Sequence, residues 1–202
     1  MGDRALRRAV AALGPLLAYP RRERFATDLA RAEGRLLEAG AAEAAEALEA
    51  FERGAVRRSF DELEDLYTRT FDLTPVCVPF LSVHLFGQES FRRARLMTGL
   101  EEAYRKAGHD RGTELPDHLA VVLGAAEVFA DDEWEELVEQ VLARPLARMK
   151  GALSGEGSAK NPYRHLLEAV RLALGVAEVP EEAPAEPHWR RKEAKEITGG
   201  TR

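Results

Sequence analysis

A single-domain all-α bundle of about seven to nine helices is the fold this sequence predicts. Two observations carry the class: apolar residues recur at three- and four-residue spacing over most of the chain, and no run alternates with period two as a half-buried strand does. A third sets the size. At 202 residues, 45% hydrophobic and 32% charged, the chain fills one globular domain with a core of its own, and two domains would be cramped.

The helices are read off in order. Leu6, Val10, Leu13 and Leu17 make a first stripe ending near Tyr19-Pro20, and Phe25, Leu29, Leu36 and Leu37 a second ending at Ala39-Gly40. Ala44, Leu48, Phe51 and Ala55 face one way on a third. Ser59 with Glu62 forms a capping box that launches a fourth, with Leu63, Leu66, Tyr67 and Phe71 on its face. Pro75 and Pro79 stop that helix and impose a bent, partly extended passage. After Gly87 a long helix runs to about Ala107, with Leu96, Met97, Leu100, Ala103, Tyr104 and Ala107 turned inward. Residues 107–114 read as a loop. Pro116 suits the first position of a helix with the stripe Leu119, Val122, Ala126 and Phe129. Asp131 or Asp132 caps the next, which Pro145 should kink or end. A Gly/Ser-rich loop, 151–161, precedes a last helix that opens at Pro162 and buries Tyr163, Leu166, Leu167, Val170 and Leu174. The helical domain is thus expected over 1–175, and 176–202, rich in Pro, Glu, Lys and Arg, as a flexible tail.

Charge and cysteine content exclude several classes. A net charge of −6 disfavours a nucleic-acid partner and favours a basic or amphipathic peptide. One cysteine, Cys77, allows no internal disulfide and fits a reducing, cytoplasmic setting, where it reads as a small buried hydrophobe. The arginines before the first apolar run suggest a signal peptide, but Gly14, Pro15 and charges on both sides interrupt it, so it reads as a first helix. The mostly apolar run from Val76 to Phe86 is far short of the ~20 residues a membrane span needs.

Catalysis finds little footing. His109-Asp110, with His84, Asp117 and His118, loosely resembles the ligand set of metal-dependent phosphohydrolases, but Gly108 and Gly112 bracket the pair in a loop, and neither paired-ligand spacing nor a nucleophile motif occurs. No catalytic or metal-binding residue is assigned. A non-enzyme is expected, the hydrolase and a helical regulatory or scaffold module standing as alternatives. The acidic residues Asp72, Glu89, Glu114 and Asp117 flank the proline-marked junctions, where they serve either as helix caps or as a binding rim.

At those junctions the pattern Tyr67-x-x-x-Phe71-Asp72, then His84-Leu85-Phe86-Gly87-Gln88-Glu89-Ser90, then Glu114-Leu115-Pro116-Asp117-His118-Leu119 resembles the NarJ/TorD/DmsD family of cytoplasmic, all-helical molybdoenzyme assembly chaperones. The likeness covers roughly residues 5–175 and is greater to the NarJ branch, the nitrate reductase delta subunit. Gln88 stands between Gly87 and Glu89 where many members run Gly-Glu-Ser directly, which leaves the client open among nitrate reductase and related enzymes. The resemblance implies a chaperone that binds the N-terminal peptide of an apo catalytic subunit and aids molybdenum cofactor insertion before membrane attachment or export. It implies no stably bound cofactor, the molybdenum cofactor being handled through the client, and a monomer or weak dimer. A basic amphipathic client would need an apolar groove with an acidic rim. For the groove the candidates are Tyr67, Phe71, Leu81, Phe86, Leu100 and Tyr104, with ordinary core packing as the alternative. For the rim they are Asp72, Glu89, Glu114 and Asp117. His84 and His118 are expected either to line the site or to tie the two junctions by hydrogen bonds.

Overall fold

The computed structural model describes residues 2–155 and 160–178. Every regular element among them is helical: α1 Gly2–Leu13, a 3-10 turn Gly14–Leu17, α2 Phe25–Glu38, α3 Ala42–Ala55, α4 Phe60–Tyr67, α5 Leu81–Phe86, α6 Phe91–Ala107, α7 Leu119–Gly124, α8 Asp131–Leu137, α9 Ala143–Ala152 and α10 Tyr163–Ala173. The all-α expectation holds. None of these helices is long and apolar enough to cross a membrane.

The centre of the bundle is the face shared by α3 and α10, with α1 and α2 packed beside it. Alanines 44, 45 and 55 keep α3 slim, and at Gly54 the backbones come so close that an added Cβ would lie 2.6 Å from the Pro162 side chain. Phe51 reaches from α3 onto Tyr163 of α10 at 5.4 Å, and Tyr163 meets Tyr67 at 5.9 Å and Phe71 at 5.0 Å. Such ring pairs add about 0.5–1.5 kcal/mol each beyond the apolar area they bury. The Ser59–Glu62 capping box is present, and it starts α4 at the angle that delivers Tyr67 to this cluster. A π turn, Thr68–Asp72, prolongs α4 so that Phe71 follows. Thr70 within it is bonded by Asn161 at 2.8 Å, and its carbonyl accepts from the N–H of Cys77 at 2.9 Å.

Several local expectations are corrected. Leu37 is 61% exposed because it falls one residue past the buried Leu36 position, and Ala107 is exposed at the end of α6. Pro116 lies in a buried turn, and α7 begins only at Leu119 with His118 as its N-cap. Ala130, not an aspartate, precedes α8, and its N–H is satisfied by the Glu133 carboxylate at 3.1 Å. Pro145 does not end its helix: a π turn, Val138–Leu142, joins α8 to α9 and shifts the hydrogen-bond register just before the proline, which has no N–H to lose. Gly151, placed in a loop, is still helical. Of the segment expected as a tail, Val176 is held by Arg171, which donates to its carbonyl at 2.6 Å, and Glu178 pairs with Lys150 at 3.1 Å. Residues 179–202 lie outside the described residues.

Arg7 is a buried charge that the sequence reading missed. Arg7 of α1 donates to the Phe129 carbonyl at 2.7 Å and to Asp131 at 2.7 Å, and its guanidinium lies 5.6 Å from the Trp134 ring centre. It fastens α1 to the connection between α7 and α8.

The 3-10 turn is the tightest contact on α7. A Cβ at Gly14 would stand 2.7 Å from the Ala120 carbonyl oxygen and 2.9 Å from the Gly124 nitrogen, both backbone atoms that cannot swing away. Gly14→Ala should therefore cost about 1–3 kcal/mol, read as a lower urea midpoint at unchanged slope.

Candidate functional site

The two junctions meet. Segment 77–82 and the turn at 116–119 form an isolated antiparallel bridge at Phe80 and His118: the Leu81 N–H donates to the Asp117 carbonyl at 3.0 Å, and the Leu119 N–H to the Pro79 carbonyl at 2.9 Å. The prolines make this possible, since they keep 73–80 out of a helix and leave extended backbone free to pair. A polar clasp reinforces the bridge. The Asp117 carboxylate accepts from the Ser82 N–H at 3.3 Å and from the Ser82 hydroxyl, and Arg93 of α6 donates to that hydroxyl oxygen at 2.9 Å. Tyr104, also of α6, donates to the Pro116 carbonyl at 3.0 Å.

This geometry sorts the expected site residues. Tyr67, Phe71, Leu81, Leu100 and Tyr104 are buried, so they build the core beneath the junctions and do not line an open groove. Phe86 alone of the six is exposed, at the end of α5. Asp117 is fully buried and is the clasp's acceptor, not part of a rim, whereas Asp72, Glu89 and Glu114 are exposed. Glu89 and Asp117 are not first-turn residues either: each stands one position before an N-cap, Ser90 and His118. The histidine side chains do not join the junctions to each other through hydrogen bonds. His84 Nε2 bonds the Val78 carbonyl at 2.7 Å within its own segment, and His118 Nδ1 accepts from the Ala120 N–H at 3.2 Å as the cap of α7. Its ring does pack on Phe80, centroids 5.5 Å apart.

An open cleft of about 570 Å³ lies between the Gly14–Phe25 stretch, α7 and the loop 109–114. Tyr19, Pro20 and Phe25 form its apolar wall, and Asp110 and Glu114 stand at its edge. Asp28 is the buried acid inside it: Oδ1 has no hydrogen-bond partner, with Arg24 at 3.6 Å and Arg31 at 3.8 Å as its nearest cations. Arg111, also lining the cleft, is engaged by Glu101 at 2.6 Å. Arg21 and Arg24 line the cleft as well, so among the described residues three arginines stand beside its three acids. Burial raises the Tyr67 hydroxyl above the usual phenol range, the charges of Glu114 and Asp72 raise it further, and it donates to the Leu17 carbonyl at 3.3 Å. Burial, Glu64 and Asp65 raise Tyr19 in the same way. Asp28 and Tyr19 were not singled out from the sequence. An aspartate followed by the apolar Leu29 inside the second stripe was the signal for the first.

Among the described residues no three His, Cys, Asp or Glu side chains converge as a metal set. His109 packs on Tyr104 with ring centroids 5.4 Å apart, and Asp110 accepts from the Gly112 N–H at 2.9 Å to close its turn.

The helical architecture and the clasped junctions are accompanied by a match to the family model described as nitrate reductase delta subunit, over residues 35–158. The chain belongs to that family. The match takes in α3 to α9, hence both junctions and the Asp117–Ser82 clasp, while α1, the 3-10 turn and α10 lie outside it. No curated protein matches the chain. Membership of the delta subunit family makes the protein a molybdoenzyme assembly chaperone, of a family that binds the nitrate reductase catalytic subunit and is not itself catalytic.

Two outcomes follow from the clasp. Ser82→Ala leaves the buried Asp117 carboxylate with one long N–H bond and should cost about 1–3 kcal/mol, and the added cost of Asp117→Asn should be smaller in that background than alone, in a double-mutant cycle by urea melts. His118 gives the second. Burial lowers its pKa below the usual 6.5, against the opposing pull of Glu114 and Asp117, so the unfolded chain binds the proton first. The stability this group contributes is present above 6.5 and is lost as pH falls from there towards the folded value. His118→Asn, which keeps an acceptor at the cap, should flatten that part of the stability–pH curve.

Proposed function

We propose that this chain holds the N-terminal peptide of the apo catalytic subunit of a respiratory nitrate reductase, or of a related enzyme of the same class, in the cleft beside Tyr19. It keeps that segment from membrane attachment or export until the molybdenum cofactor has been inserted. The cofactor stays with the client, and the chain itself binds none.

The observation that carries this reading is the buried Asp28 carboxylate, one oxygen without a hydrogen-bond partner, at the bottom of a cleft with aromatic and proline walls and with Asp110 and Glu114 on its edge. A basic amphipathic peptide suits the apolar wall and the three acids, and its polar or acidic positions would face Arg21 and Arg24 of the same lining. Its apolar face would cover Tyr19 and Phe25, and an arginine or lysine reaching inward would give Asp28 Oδ1 a hydrogen-bonding donor, which its ion-pair partners Arg24 and Arg31 do not supply. The net charge of −6 would bring such a peptide in from beyond contact range.

Calorimetry with a synthetic peptide of the client's N-terminus is the test. Binding should weaken about tenfold or more between roughly 0.05 and 0.5 M salt, and by a similar factor in Asp28→Asn and in Glu114→Lys. Glu114 is exposed, so that variant should keep its thermal midpoint. A peptide that fails to bind a chain still able to mature its client in cells would overturn the proposal, as would equal binding by wild type and both variants.

A further inference from the structure

On another face of the molecule positive charge is concentrated. Where the C-terminal end of α3 meets the start of α10, an open cleft of about 740 Å³ is lined by Arg53, Arg57, Arg58, Lys160 and His165, with Glu62 as the one carboxylate in its wall among the described residues. That carboxylate is committed elsewhere, since it closes the capping box on the Ser59 N–H at 2.7 Å. In a chain of net charge −6 such a concentration of cations stands out.

Backbone packing brings them together. The contact of Gly54 with Pro162 draws the two helix ends into touch, so that cations from both sequence regions rim one hollow. Arg58 spans it, donating to the Gly54 carbonyl on one wall and to the Lys160 carbonyl at 3.4 Å on the other. Arg53 pairs with the exposed Glu49 at 3.1 Å, whereas Arg57 and the Lys160 ammonium meet no carboxylate among the described residues. The first turn of α10, an 11-residue helix, also opens here and adds the partial positive charge of its N-terminus. The field registers on His165, whose pKa is lowered by burial and then by the charges of Arg164 and Arg53.

We infer that this cleft is a binding site for a small diphosphate-bearing molecule. The Arg57 guanidinium and the Lys160 ammonium, with Arg53 shared with the exposed Glu49, Arg58 held on backbone carbonyls and the N-terminus of α10 beside them, match the oxygens of two linked phosphates, and the hollow is larger than one phosphate needs. The site is separate from the Tyr19 cleft and does not depend on the peptide reading.

Titration of the full chain with inorganic pyrophosphate and, in parallel, with a nucleoside diphosphate, followed by phosphorus NMR at low and moderate salt, tests it. Saturable binding is expected, weakened about tenfold or more by Arg57→Ala and again by Lys160→Ala. Both residues are exposed, so thermal melts should show the variants folded. Tighter binding of the nucleoside diphosphate would assign the site to a nucleotide, and equal binding would assign it to the pyrophosphate group alone. No saturable binding of either, undiminished binding by the double variant, or binding of an RNA oligonucleotide in place of both would overturn the inference.

Discussion

The pairing of 79–82 with 117–119 is the constraint from which the functional half of the molecule takes its shape. Groups that burial would orphan find partners there: two backbone amides, the Ser82 hydroxyl and one oxygen of the Asp117 carboxylate, whose other oxygen has none. A buried carboxylate left alone would be costly enough to unfold a domain of ordinary stability, so the clasp is held closed by the penalty of opening it more than by the strength of any one bond. Because Arg93 and Tyr104 tie α6 to the same clasp, the loop that α6 leads into emerges at a fixed place, and Glu114 is set at the edge of the cleft.

The two clefts arise from a common device, close backbone approach at a glycine. Gly14 lets the 3-10 turn sit on α7 and shapes the acidic cleft, and Gly54 lets α3 touch Pro162 and gathers the basic one. The two hollows thus open on separate surfaces, each rooted in one such approach.

Much of this was legible in the sequence. The stripes of α1, α3 and α10, the Ser59 capping box, the break at the two prolines and the extent of α6 follow from period and punctuation, which are local properties. The junction motifs were legible as motifs, but their roles were not. Asp117 and Tyr67 look like surface and groove residues until it is known that the two junctions pair, and that pairing is non-local: nothing near Ser82 announces a partner 35 residues on. Arg7 and Asp28 were hidden for the same reason, each a charge on an otherwise ordinary helix whose burial depends on what folds over it. The π turn before Pro145 escaped because a proline read locally ends a helix, and the chain instead changed its register there.

Cys77 carries a chemical consequence. It is the sole cysteine of the chain, it is wholly buried, and its Sγ–H points at the Met149 carbonyl 3.7 Å away, with burial pushing the thiol up to about 12. A thiol held in that state does not ionise at neutral pH, and only the thiolate attacks disulfides, reacts with oxidants or captures soft metal ions. The folded chain therefore offers such metals no sulfur ligand of that kind, and two copies have no exposed thiol through which to cross-link. A partner enzyme built around metal centres can be held against this surface without a thiolate competing for what it binds.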